Sequence, residues 1–202
     1  MSPAHVFEPT YAAIKRRLMT GEWATGTRIE AGKLAEELGV SLTPVRDSLY
    51  RLNGEQLVDF MPGEGFHAHR PSETELRDML ELHLILLLAA LATAASGAAE
   101  PVPADGDYPD RVSALFLAIA RRSSNSEIIA SIGTLGDRLH LSRHFDETIL
   151  SAVAEELQAI EAAVTDVAPQ ADVRNLLLRY HERRAHEAAT YARLISGHLG
   201  RT

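Results

Sequence analysis

The 202 residues contain no cysteine, which excludes disulfides and thiolate metal sites and makes a reducing, cytoplasmic setting the natural expectation. The start, Met-Ser-Pro-Ala-His-Val-Phe-Glu-Pro, has neither a basic opening nor a long apolar core, so no signal peptide is expected. Long hydrophobic runs are missing too. The longest, residues 84–95, is about twelve residues against the roughly twenty that span a bilayer, so it reads as a buried helix and no membrane partner is expected. Positive charge is short: 20 Lys and Arg face 28 Asp and Glu, a formal net charge of −8. Up to Arg70 there are 8 basic and 9 acidic residues, and after it 12 and 19, so the acidity belongs to the second part. Such a balance argues against nonspecific coating of nucleic acid. There is also no nucleophile elbow, no phosphate-binding glycine loop and no His-Glu-x-x-His, which leaves an enzyme with little support.

What is present is concentrated between Leu34 and Leu52. Leu34, Ala35 and Leu38 share one helical face, and Val45, Ser48, Leu49 and Leu52 form a second apolar stripe at spacings of three and four. Gly39 stands where the first helix should end. Thr43-Pro44 offers a hydroxyl cap followed by proline, so the second helix is expected to start near Pro44. Two helices about a Gly39-Val40-Ser41 turn have the layout of a helix-turn-helix. The outer side of the second helix carries Thr43, Asp47 and Tyr50, flanked by Arg46 and Arg51. Arg46 is placed to read a guanine edge in a major groove, and a solvated surface helix is the alternative reading of the same charges.

Downstream, residues 57–61 and 66–69 are short strand-like runs around Pro62-Gly63-Glu64-Gly65, the pattern of a hairpin wing. Upstream, Tyr11, Ile14 and Leu18 make a third helix face beside Lys15, Arg16 and Arg17. Three helices and a wing predict a winged helix. The stretch LMTGEWATGTRIEAGKLAEELGVSLTPVRDSLYRLNGEQLV, within residues 8–70, resembles the DNA-binding domain of the GntR family of bacterial regulators. Thr43, Pro44, Val45 and Arg46 match the family's Thr-Pro-Val-Arg, while Leu42 takes the place of the basic residue before it. The resemblance implies that Thr43 and Arg46 contact an operator, that Lys33 lies near phosphates and that the wing at Gly65 approaches the minor groove. Pro44, Tyr50 and Arg51 complete the expected DNA-binding set.

A linker is expected over residues 71–76, with Ser72 placed to cap a helix beginning about Glu73, and an all-helical domain over residues 77–199. From Glu75 to Thr93, Leu and Ala recur on almost every face, the mark of a helix packed between others. Residues 96–109 read as a loop. Helical spacing resumes at Val112, Leu115, Phe116 and Ile119, and further helices are drawn over residues 126–145, 147–166 and 171–199. The fold class is therefore mainly α: a winged helix-turn-helix followed by a helical bundle.

Domain order, the opening helix and LFLAIARRSSNSEII resemble the FCD ligand-binding domain of the FadR subfamily. That family holds a divalent metal with one Asp and three His, but its Asp-x-x-Phe-His turn here reads Ser113-Ala-Leu-Phe-Leu117, and its Glu-Glu-His falls on Glu155-Glu156-Leu157. Only His181 lands on a ligand position, so no metal and no cofactor are expected. His140 and His144, at i and i+4, could clamp a metal with His181 or His186, or simply be the partly buried and surface histidines that bundles carry.

The whole predicts a homodimeric DNA-binding regulator and repressor on a palindromic double-stranded DNA operator. A small organic acid effector would meet His83, Arg138, Arg143 and His181. The alternatives are a helical domain serving only as a dimerisation body and, further off, a metal-dependent hydrolase.

Overall fold

The computed structural model describes residues 4–94, 106–165 and 169–198. They divide into two compact units, one ending at Arg70 and including residues from Leu194 onward, the other running from Pro71 to Arg193.

In the first unit, α1 (Ala4–Met19), α2 (Ala31–Leu38) and α3 (Leu42–Gly54) precede a hairpin of β2 (Val58–Met61) and β3 (Gly65–Ala68). The predicted apolar stripes close on one another: Ile14, Val45, Leu49, Leu52 and Val58 are fully buried. Gly39 ends α2 at φ +65°, a conformation that costs an L side chain energy, and Val40 N–H then returns to Ala35 O at 3.0 Å. The wing differs from expectation by one strand. β1 (Arg28–Ile29) pairs antiparallel with β3, giving the order β1-β3-β2, with Arg28 opposite His67 and Ile29 opposite Phe66. On the flank of the helices, Glu55 accepts hydrogen bonds from Tyr11 Oη at 2.7 Å and Lys15 Nζ at 3.0 Å. Burial would raise the Glu55 carboxyl, but these donors outweigh it and hold its pKa below the usual range.

The third helix, α3, begins earlier than its sequence suggests. Ser41 is the N-cap residue and Leu42 opens α3, so Thr43 and Pro44 lie inside the first turn rather than at its border. The proline is tolerated there because the first turn's N–H groups lack intrahelical partners in any case.

The second unit is built from helices. Here α4 (Glu73–Ala92) starts inside the expected linker, because Ser72 and Glu75 form a capping box: Ser72 Oγ accepts Glu75 N–H at 3.2 Å and Glu75 Oε2 accepts Ser72 N–H at 2.8 Å. Next come α5 (Tyr108–Arg121), capped by Asp107, and α6 (Ser126–Arg143), capped by Asn125. The loop expected over residues 96–109 therefore ends at Asp107, and residues 96–105 of it lie outside the described residues. The last two expected helices are each divided. The first becomes α7 (Asp146–Ile149) and α8 (Val153–Thr165), separated where Ala152 takes φ +55°. The second becomes α9 (Gln170–His186) and α10 (Ala188–Gly197), separated at Glu187. Leu87, Val112, Leu115, Ile119, Ile160 and Leu177 form the centre of the core. The expectation that α4 is enclosed on all sides is corrected by Leu82 and Ile85, which are 48% and 53% exposed.

A buried polar knot ties this unit together. Asp146, 1% exposed, accepts hydrogen bonds from Tyr108 Oη at 2.8 Å, Tyr191 Oη at 2.6 Å, and Arg184 Nε and Nη2 at 2.9 and 2.6 Å. Arg184 also reaches Glu156 at 2.8 Å and lies 3.4 Å from the centroid of the Tyr180 ring. Burial works against the Arg184 charge, and Tyr180, Asp146, Tyr108 and Glu156 outweigh it and raise its pKa.

Candidate nucleic-acid interface

Burying Val45, Ser48, Leu49 and Leu52 forces the opposite side of α3 outward, and Leu42, Thr43, Arg46, Asp47 and Tyr50 are exposed there. Arg46 makes no hydrogen bond or ion pair with any described residue. Its basic neighbours are differently placed. Lys33 pairs with Glu30 at 2.9 Å, Lys15 with Glu55 at 3.0 Å and Arg17 with Glu37 at 2.8 Å. Arg51, expected on the DNA face, turns to α1 instead: its guanidinium stands 3.9 Å from the Tyr11 ring centroid and contacts Glu8 and Glu55, both at 3.2 Å. Side-chain direction on α3, which spacing alone leaves open, decides this difference.

Arg46 borders an open cleft of about 590 Å³ with Arg28, Leu42, Tyr50, Phe60 and Gly65. Arg28 was not singled out from the sequence. It is exposed, makes no ion pair with a described residue, and passes beside Gly65, its Nε 3.9 Å from where a Cβ there would stand. Two unpaired guanidinium groups on one cleft are suited to phosphate oxygens and to guanine edges. Tyr50 packs against Phe66 at 4.9 Å and Phe60 at 5.5 Å between ring centroids, and those two rings are 5.0 Å apart. This aromatic triple joins α3 to the wing. The wing tip carries no Lys or Arg between Leu57 and Phe66, and Phe60 and Met61 are 41% and 44% exposed. What Gly65, at φ +96°, can offer a groove is its backbone.

In the helical unit the expected effector residues separate into two groups. His83 Nδ1 and His181 Nε2 are 2.9 Å apart in the interior, and His181 Nδ1 lies 2.7 Å from Leu177 O. The carbonyl requires a proton on His181 Nδ1, so Nε2 accepts from His83 Nδ1–H, which leaves the buried His83 Nε2 with a lone pair and no partner. Burial first, then His181 and the Arg143 charge, push the His83 pKa well down. Burial also lowers His181 to about 3, with the Leu177 carbonyl opposing and Arg184 and Arg143 assisting. Arg143, 3% exposed, donates to Ser113 Oγ at 2.6 Å and Gly136 O at 3.1 Å. Arg138 stands apart on α6, making no hydrogen bond or ring contact with the histidine pair; burial lowers its pKa, with Glu75 opposing.

These contacts bear on the metal that the FCD resemblance implies. At Ser113, where that family has its Asp, the hydroxyl accepts from a guanidinium, and His181 Nε2 is turned to another imidazole. Together with Leu117 and Leu157, the donor set does not fit a divalent ion. The clamp of His140 and His144 with His181 does not form either, because His181 faces His83. His140 Nε2 instead meets Asp110 Oδ1 at 2.9 Å, thirty residues away in sequence, and ligand atoms of Asp107, Asp110 and His140 lie within 4.8 Å of one another. Asp107 there serves as the cap of α5, accepting Asp110 N–H at 3.1 Å.

Neutral buried histidines make stability depend on pH. Below about 6.5 the unfolded chain takes up protons that the folded one refuses, so ΔG of unfolding falls with pH, by up to about 1.4 kcal/mol per unit for each histidine. Urea midpoints measured from about pH 7.5 to 5 should decline, and His181→Gln should roughly halve the decline. Midpoints independent of pH would contradict a neutral pair.

Residues 8–67 match the family model described as bacterial regulatory proteins, gntR family. The chain is 32% identical over 81 residues to the HTH-type transcriptional regulator McbR of Escherichia coli K12, covering 40% of this chain and 37% of that protein. It is 26% identical over 137 residues to the Nta operon transcriptional regulator of Aminobacter aminovorans, covering 60% of this chain and 65% of that one. The alignments thus span about a third to two thirds of these relatives' lengths. Among solved structures, E. coli McbR/YncC superposes with a TM-score of 0.69 at 20% identity, over 92% of this chain and 97% of that one. A proposed GntR transcriptional regulator from Rhodococcus sp. RHA1 gives 0.73 at 14% identity, over 91% and 97%. At such identities the likeness is one of fold. That fold is the expected one, an N-terminal winged helix-turn-helix and a C-terminal helical domain, and the relatives are named as transcriptional regulators.

Proposed function

We propose that this chain is a DNA-binding transcriptional regulator of the GntR type, with Arg46 as its base-reading residue and Thr43, Arg28 and the backbone at Gly65 as accompanying contacts. The observation that carries this is Arg46 itself, exposed on the open side of α3 with no partner among the described residues. In this reading the protein acts in the cytoplasm as a homodimer, represses from a palindromic operator, and dimerises through its helical unit. Leu82 and Ile85, exposed on α4, support that last assignment, since large apolar side chains side by side on one helix are ordinarily covered. Duplication supplies the grip that a nearly neutral reading head lacks, because the second half-site is bound at high effective concentration.

The test is fluorescence anisotropy on fragments from the gene's own upstream region, with sedimentation to count protomers. A dimer should select a site whose halves lie about one helical turn apart, with affinity falling steeply as salt rises. Equal affinity for random duplex of the same length would refute the reading. A second reading, control by an organic acid in the helical unit, is favoured by the convergence of His83 and His181 beside Arg143. Such a ligand acts only if it binds one arrangement of the reading heads more tightly than the other.

A further inference from the structure

Arg143 and Arg184 are equally buried, at 3% exposure, yet differently matched. Arg184 has Asp146 and Glu156. Arg143 has a hydroxyl and a carbonyl, both neutral, the Phe116 ring 5.8 Å from its guanidinium, and no ion pair with any described carboxylate. A guanidinium cannot shed its proton as a buried lysine can, and an unmatched interior charge costs several kcal/mol. Its histidine neighbours are held neutral, partly by its own field. Close by, the fully buried Tyr180 hydroxyl lies against Arg143 without a well-formed hydrogen bond. Both residues line one cavity, walled also by Leu76, Leu80 and Leu139 and by Ser142, Arg184 and Tyr191, with about 10 Å³ for the centre of a water-sized occupant. That is room for one small particle.

We infer that the helical unit holds one small inorganic anion of the halide class, bound between the Arg143 guanidinium and the Tyr180 O–H. A halide accepts from both donors and supplies the negative charge that Arg143 lacks, which a neutral water cannot do. A carboxylate on a carbon chain exceeds the space. The site goes beyond the DNA-binding reading and does not depend on it.

Melting temperatures of the full chain in potassium chloride and potassium gluconate, at matched ionic strength, test the proposal. Raising chloride from about 5 to about 200 mM should raise Tm saturably, by about 3 °C, with no equivalent rise in gluconate. Tyr180→Phe keeps the ring and removes the hydroxyl. Its Tm in gluconate should be unchanged or higher, since a buried group without a well-formed hydrogen bond is gone, while the chloride-dependent rise shrinks at least twofold. Arg143→Met should abolish that rise. In crystals soaked with bromide, an anomalous peak should stand within hydrogen-bond reach of both side chains. A chloride response absent in the native chain, or equal in Tyr180→Phe, overturns the assignment, as does water-level density without an anomalous signal. An organic acid that raises Tm equally in native protein and Tyr180→Phe would speak for the effector reading and against this site.

Discussion

Asp146→Ala is expected to destabilise the helical unit by about 3–5 kcal/mol, a large share of the roughly 5–15 kcal/mol that holds a folded protein together. The reason lies in what the carboxylate serves. It receives two hydrogen bonds from Arg184 and one each from Tyr108 and Tyr191, groups drawn from α5, α9 and α10. Its removal leaves Arg184 with Glu156 as its remaining acidic partner and orphans two phenol protons in the interior. Burial is already the leading influence on both tyrosines and raises their pKa values, so neither can answer by ionising. Tyr191→Phe is the graded control, since it deletes one of the four bonds and should cost about 1–2 kcal/mol. Asp146→Leu combined with Arg184→Met should recover most of the loss, because a buried pair replaced by apolar residues of similar size is often neutral. Urea denaturation followed by far-UV circular dichroism would measure all three. A cost for Asp146→Ala below about 1 kcal/mol would show that the knot is decorative.

Arg46→Ala should abolish specific operator binding while leaving the fold intact. Each bidentate Arg–guanine contact contributes about 1–3 kcal/mol of discrimination, and the proposed dimer loses it twice, so affinity for the operator should fall by about 30-fold to 10⁴-fold. Affinity for unrelated duplex should change far less, because that binding rests on phosphates. Arg51→Ala makes a severe comparison. It lies five residues along the same helix, but its guanidinium is engaged by Tyr11, Glu8 and Glu55, so its loss should lower stability and spare specificity. Arg28→Ala occupies the middle: a weakening across all sequences and a shallower salt dependence, the mark of a phosphate contact. Anisotropy titrations at two salt concentrations distinguish the three. Full specificity in Arg46→Ala would remove the base-reading role.

The first unit was legible because its information is local. Val45, Ser48, Leu49 and Leu52 repeat at helical spacing, and burying that stripe leaves Arg46 no direction but outward. Arg28 was hidden because its strand is two residues long and exists only through pairing with β3, nearly forty positions away. The same distance effect governs the interior: His83 and His181 are 98 residues apart, and Asp110 and His140 thirty. Periodicity places each on a helix but cannot say which helices touch. The divided helices were missed for another reason. Neither Ala152 nor Glu187 is a residue that ordinarily interrupts a helix, so the chain turns where packing demands it, without the glycine or proline that would announce it.

The interlocked rings of Tyr50, Phe60 and Phe66 have a mechanical consequence. A two-stranded ribbon on its own is barely stable in water, and here it is bolted to the helix it accompanies by contacts of about 0.5–1.5 kcal/mol each. Wing and helix therefore travel as a single rigid fork, whose tines keep a fixed separation. In the proposed DNA-bound state, loosening the bolt would leave α3 as strongly held as before while its companion wandered, so that contacts made through the wing would weaken before those made through the helix.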